Sequence, residues 1–343
     1  MKKLLYIIIA FAYVSLFAGT AYSVNRKLQD DRLPAGMNPA SDSVIDEELS
    51  PISPEAQPDR AMRPAPHIGG QSTSMGNVRT PDVRLPGSFQ GIRENAITGA
   101  QWLTPVLRDL RRGEKRVRIM QIGDSHIRGN ILPRTLGKQL EDAFGSDALE
   151  GIDASVAPEI DGGIYFDYHG INGARTTRFC EEDMLDRITR FNPDLLIVSF
   201  GTNEAHGNFS SDTHQQTLDQ LIGAVRSRCP HTTFLLTTPP GSYISVSTGG
   251  YRDRRGRWHG RSSFGPNSRN GTVAEAIADY GAKKHVAVWN LWEIAGGAAH
   301  ACNNWSRSGM MQGDHIHYLG PGYELQGRLL AQAIIKAYNN TRY

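Results

Sequence analysis

Four short segments of the 343-residue chain combine a nucleophile, a base and hydrogen-bond donors. Gly123-Asp124-Ser125 follows an apolar run at 117–122. A serine there stands where a strand ends and a helix begins, near a helix N-terminus that favours developing negative charge. A serine hydroxyl needs a neighbouring base to attack a carbonyl. Serine is also a favoured helix N-cap, and the tripeptide taken alone fits that reading better. Eleven histidines are available as the base. In Asp314-His315-Ile316-His317, residues i and i+3 of a one-turn loop face each other. Asp314 can then fix the tautomer of His317 and stabilise its imidazolium form. His315 and His126 are rival bases, although adjacent residues of an extended segment point apart, which weakens Asp314 with His315. Two further segments could hold the oxyanion of an acyl transfer. Asn203, in Gly201-Thr202-Asn203-Glu204, carries a side-chain donor, and Gly173 allows a close backbone approach with its N–H free. Both are also common turn formers.

These residues need elements to bring them together. Residues 117–122, 164–169, 194–200, 233–237 and 286–290 read as strands, the third being a continuous apolar run of the kind buried on both faces. Helical spacing covers 131–144, 213–227, 272–284 and 323–338, with a further helix over 96–112 that starts or breaks around Pro105. Alternating strands and helices predict βαβ units, a mainly parallel five-stranded sheet and helices on both faces, an α/β fold. Ligand sites of such sheets lie beyond the C-terminal strand ends. There, 123–125, 169–173 and 201–204 would meet.

With that convergence the chain resembles the SGNH/GDSL hydrolases, and among them envelope-associated acetylesterases of Bacteroides-like bacteria. The four blocks occur in order: Gly-Asp-Ser at 123–125, the glycine block at Gly173, Gly-x-Asn at 201–203 and Asp-x-x-His at 314–317. The resemblance spans roughly residues 116–338. It implies a flavodoxin-like three-layer α/β/α sandwich and a triad of Ser125, His317 and Asp314. It also implies an oxyanion hole from the Ser125 N–H, the Gly173 N–H and the Asn203 side chain. His126 stands where the family nickname has Leu, and the stretch between Ser125 and Gly173 is long. No metal or other cofactor is needed for this chemistry. Polar neighbours of the motifs, Asp124, Arg175 and Glu204, are candidate substrate contacts.

Elsewhere, Lys plus Arg number 37 and Asp plus Glu 35, so no global field argues for nucleic acid as a partner. Lys2 and Lys3, an apolar run to Phe17 and small residues at 18–21 have the layout of a secretory signal peptide. Residues 1–23 are therefore expected to be a signal peptide, or an anchor attached to the membrane through 4–21. The rest would be exported to the periplasm or cell envelope. Prolines recur through 24–90 among Ser, Asp, Glu and Gly, which predicts a disordered tether ahead of a hydrolase domain at 91–343. Cys180, Cys229 and Cys302 form no CxxC pair, leaving open one disulfide or three free thiols. Residues 251–261 hold five arginines, Tyr251 and Trp258, and read as a basic loop near the site edge. Arg255 and Trp258 are its candidate contacts to an anionic glycan, and Trp305 is a candidate for the same rim. The expected reaction is hydrolysis of O-acetyl esters on an acylated glycan, peptidoglycan first and acetylated plant glycan second. Acyl transfer to a sugar, or glycan binding without catalysis, are the alternatives.

Overall fold

A computed structural model describes residues 76–145 and 162–341. The expected export segment, the tether up to residue 75 and the loop 146–161 lie outside the described residues. In chain order the strands are β1 (Ile97–Thr98), β2 (Val117–Gly123), β3 (Ile164–Gly170), β4 (Leu195–Ser199), β5 (Thr233–Thr237), β6 (Tyr243–Arg252), β7 (Trp258–Pro266) and β8 (Ala287–Trp289). The α-helices are α1 (Thr104–Arg112), α2 (Ser125–Arg128), α3 (Ile131–Phe144), α4 (Glu182–Phe191), α5 (Thr202–Ala205), α6 (Ser211–Arg228), α7 (Arg269–Lys284), α8 (Leu291–Ile294), α9 (Gly297–Arg307) and α10 (Gly320–Asn340).

Six strands form one sheet in the order β1-β8-β5-β4-β2-β3. Every neighbouring pair is parallel except β1 with β8. The expected five strands are the parallel part, and the sixth is the two-residue antiparallel edge β1. Sequence periodicity cannot register so short a strand, whose residues 97–98 fall within the helix expected over 96–112. Gly99 turns the chain left-handed (φ 70°), a short 3-10 turn follows, and α1 then begins with Pro105 in its first turn. Taken without β1, the order is the flavodoxin-like 2-1-3-4-5 arrangement, with its switch point between β2 and β4.

The strands alternate between two cores. Ile119, Leu195 and Ile197 face α3 and α10 through Leu132, Leu136, Leu330 and Ile334. Met120, Ile122, Leu196 and Val198 face α4, α6 and α7 through Leu185, Leu221, Val225 and Ile277. Successive side chains of a strand point to opposite faces, so a central strand covered on both sides must be apolar throughout. This gives the three layers. No helix among the described residues is long and apolar enough to cross a membrane. The three cysteines are free thiols.

One boundary needs correction. Residues 76–90, read as the end of the tether, lie packed along the domain. Phe89 is buried edge-on against Trp305 at 5.1 Å. Side-chain amides take the place of a partner strand. Asn339 accepts from the Val78 N–H (3.0 Å) and donates to its carbonyl (2.8 Å). Gln332 donates to the carbonyls of Pro81 and Val83. Asn304 pairs with both backbone groups of Gln90. Proline stops helix and ladder formation, but it does not stop an extended segment whose polar groups are met this way.

Candidate active site

The register sets Gly123 at the end of β2 beside Gly170 of β3 and Ser199 of β4. The short helix α2 rests directly on the end of β3. A Cβ on Gly170 would lie 2.2 Å from the Arg128 nitrogen, so only glycine permits this approach. Asp124, not Ser125, caps α2. Its Oδ1 accepts from the His126 N–H at 2.9 Å. Ser125 is thus the first helical residue, and its hydroxyl is left to another partner.

That partner is His317. Its Nε2 lies 2.8 Å from Ser125 Oγ, and its Nδ1 lies 2.6 Å from Asp314 Oδ2. The other Asp314 oxygen accepts from the N–H groups of Ile316 and His317, at 2.9 and 3.0 Å. The loop is closed on itself. Gln312 N–H donates to the His317 carbonyl (2.8 Å), and the Gln312 side chain donates to the Tyr318 carbonyl (2.9 Å). Tyr318, fully buried, ties the loop down by donating to the Gly241 carbonyl. Hydrogen bonding to Asp314 raises the His317 pKa above its ordinary value, against the opposing effect of burial. Burial pulls the Asp314 carboxyl upward. The His317 ring and the two backbone donors outweigh it and hold the group below the usual carboxylate range.

The rival bases are placed elsewhere. His126 is buried, and its Nδ1 hydrogen-bonds with the Tyr323 hydroxyl at 3.0 Å. Burial, aided by the nearby His317, pushes its ring down to about 3, so it stays neutral. His315 sits in the left-handed region (φ 59°) and its ring turns away onto Phe264 and Tyr243.

Gly173 (φ 69°) and Asn203 meet beside the serine's turn. Asn203 Nδ2 donates to the Ala174 carbonyl at 3.0 Å and to Asp124 Oδ2 at 3.3 Å. The N–H groups of Ser125 and Gly173 have no acceptor among the described residues. The arrangement sets the Ser125 hydroxyl on an imidazole–carboxylate pair, with the Asn203 amide, whose longer bond can be exchanged, held against the neighbouring Asp124.

Two candidate substrate contacts are corrected. Asp124 is only 2% exposed. It caps α2 and braces Asn203, and burial lifts its carboxyl to about 7. Glu204 is 7% exposed and accepts from the Thr176 N–H and hydroxyl, joining the segments after β3 and β4. Polar residues beyond strand ends read as surface in a sequence, but here neighbouring backbone donors draw them inward. Trp305 is core rather than rim, fully buried with its indole N–H on the Pro240 carbonyl. Arg175 remains exposed, its guanidinium lying across Gly207. Arg255 and Trp258 are also exposed at the far end of the β6–β7 hairpin, Arg255 in its connecting turn and Trp258 as the first residue of β7. No sequence signal marks Tyr318, Tyr323 or Gln312 as supports, since aromatic and amide residues are common everywhere.

A family model for the GDSL-like lipase/acylhydrolases matches residues 122–325. The chain belongs to this family, and so to the ester-hydrolysing serine hydrolases. A solved structure described as a peptidoglycan O-acetylesterase in action shares the fold. It has a TM-score of 0.55 at 16% identity, over 73% of this chain and 99% of that one. Other similar structures are a putative lipolytic protein of the G-D-S-L family from Desulfitobacterium hafniense and a GDSL-like lipase from Bacteroides thetaiotaomicron. The first has a TM-score of 0.43 at 16% identity, over 64% of this chain and 99% of that one. The second has 0.39 at 14%, over 70% and 100%. No curated protein sequence matches the chain.

Proposed function

We propose that the protein is an exported serine esterase that removes O-acetyl groups from an envelope polysaccharide, peptidoglycan in the first instance. The observation that carries the catalytic part is the unbroken chain from Asp314 through His317 to Ser125, at 2.6 and 2.8 Å. In the neutral tautomer, His317 Nδ1–H donates to Asp314 and Nε2 accepts the serine proton. As that proton moves to Nε2, Oγ bonds to the ester carbonyl carbon. The resulting oxyanion is held by the N–H groups of Ser125 and Gly173. Asn203 joins them by giving up its 3.3 Å bond to Asp124. Collapse breaks the ester C–O bond, and the leaving sugar oxygen takes the proton from His317. Water then attacks the acyl-serine, with His317 again as base, and acetate and free Ser125 result.

The substrate reading has separate support. The amino-terminal sequence has the layout of an export signal. The hairpin rooted on the histidine loop is basic and aromatic rather than apolar, which suits an anionic glycan better than a lipid chain. The fold is also that of a protein described as a peptidoglycan O-acetylesterase.

The test is turnover of 4-nitrophenyl acetate by the wild type beside Ser125→Ala. Turnover that falls by about three orders of magnitude or more in the variant is expected for loss of the nucleophile. Equal rates in two folded proteins would remove Ser125 from the mechanism.

A further inference from the structure

The β6–β7 hairpin takes no part in the bond-making steps just described. Its root is part of the site. Tyr243 N–H donates to the His315 carbonyl at 2.9 Å, and the Phe264 and Tyr243 rings pack on the His315 ring at 4.5 and 5.4 Å. His315 lies between Asp314 and His317 in sequence, so the hairpin begins at the catalytic loop. From there it leads to an exposed tip. Strand register assigns Phe264, Ser262, Gly260 and Trp258 to one face of β7. That face runs for about 20 Å at ~3.3 Å per residue. Phe264 is 53% exposed at its near end and Trp258 61% exposed at its far end. The Trp258 indole lies against Gly250 of the partner strand, where any Cβ would be 2.5 Å from the ring. On the opposite face, Tyr251 stacks on His259 at 5.1 Å, with the Arg261 guanidinium 5.1 Å above the Tyr251 ring.

Charge adds a second, independent observation. Residues 243–266 contain five arginines and one acidic residue, Asp253. That carboxylate is already engaged. It accepts from the backbone of Arg255 and Arg257, from the Arg257 side chain and from His259. Arg254 and Arg255 are exposed and form no ion pair among the described residues. An exposed tryptophan costs solvation without a partner, and unpaired guanidiniums repel one another. A surface that keeps both has its complement in another molecule. Planar aromatic faces suit the C–H faces of sugar rings, and guanidiniums bind carboxylates in bidentate fashion.

We propose that the hairpin is a binding platform for an anionic polysaccharide strand, holding the polymer so that its acetyl groups reach Ser125. This rests on the glycan-ester reading above, and it names the part of the protein that recognises the polymer. The platform acts on polymer affinity and not on the bond-making steps.

The test uses peptidoglycan sacculi as the probe. Two proteins are compared, Ser125→Ala and the same protein carrying Arg254→Glu, Arg255→Glu and Trp258→Ala, both checked for folding by thermal melting. The first is expected to co-sediment with sacculi, more weakly as salt is raised, and the second to lose at least ten-fold in affinity. In the active background, the three hairpin substitutions are expected to lower kcat/KM on O-acetylated sacculi at least ten-fold relative to 4-nitrophenyl acetate. Acetylated glucomannan, a neutral polymer, is expected to show a smaller ratio. Equal binding by the two proteins, no binding by either, or binding to phosphatidylglycerol vesicles in place of sacculi would overturn the platform. Binding through the hairpin without release of acetate would leave the platform standing and overturn the substrate reading instead.

Discussion

The histidine loop and the hairpin that touches it are built in opposite ways. Asp314 is fixed by two backbone donors and a ring nitrogen, and the loop around it by Gln312 and the buried Tyr318. Each side chain that would move a proton has its position set several times over. Beyond its root the hairpin has almost no buried residue, and its aromatic and basic side chains meet mainly one another and solvent. A proton relay depends on geometry to within fractions of an ångström, so it must be braced from behind. A surface for an irregular polymer gains from exposed, adaptable contacts. The chemistry is therefore expected to be sensitive to single substitutions, whereas fold stability is expected to ignore those on the hairpin.

Asp314→Asn gives the largest expected effect within this comparison. It should lower kcat by roughly 10² to 10⁴, because the amide leaves the imidazole without its orienting carboxylate. The pH profile carries the sign. His317 works as a base only when neutral, so activity rises with pH through its pKa, which Asp314 raises. Removing the carboxylate should move the acid limb of kcat/KM to lower pH. A limb that stays in place, or moves up, would show that another group sets it. Next in size is Asn203→Ala, expected to lower kcat by about 10² to 10³ with little change in KM, as for loss of one oxyanion donor. An effect confined to KM would instead make Asn203 a ground-state contact. The smallest effect is expected from Trp258→Ala. As a surface change it should alter unfolding free energy by no more than about 0.5 kcal/mol in denaturant titration. A larger loss would mean that the hairpin is held down by contacts like those of the histidine loop.

The same contrast explains what could be read from the chain. Asp314 and His317 were legible because their geometry is local, an i, i+3 spacing that a single turn satisfies. Buried parallel strands such as β4 announce themselves by unbroken apolar runs. The hairpin was not legible. With no buried face it has no alternating pattern, and Gly249, Gly250 and the serines read as loop. The packed segment at 76–90 was hidden for another reason. Its partners, Gln332 and Asn339, lie about 250 positions away in the chain. Asp124 and Glu204 were misjudged because burial of a carboxylate depends on donors from other segments, here Asn203 and Thr176. The N-cap reading of Ser125 failed by one residue, since Asp124 takes that place.

The central claim is that Ser125, activated through His317, is the attacking group. The most direct measurement is covalent labelling with a fluorophosphonate, in which serine Oγ bonds to phosphorus and fluoride leaves. The adduct is then located by peptide mass analysis. The account expects one label per chain, on Ser125, lost in His317→Ala although that protein still folds. A label on another residue, or undiminished labelling of Ser125 in His317→Ala, would contradict it.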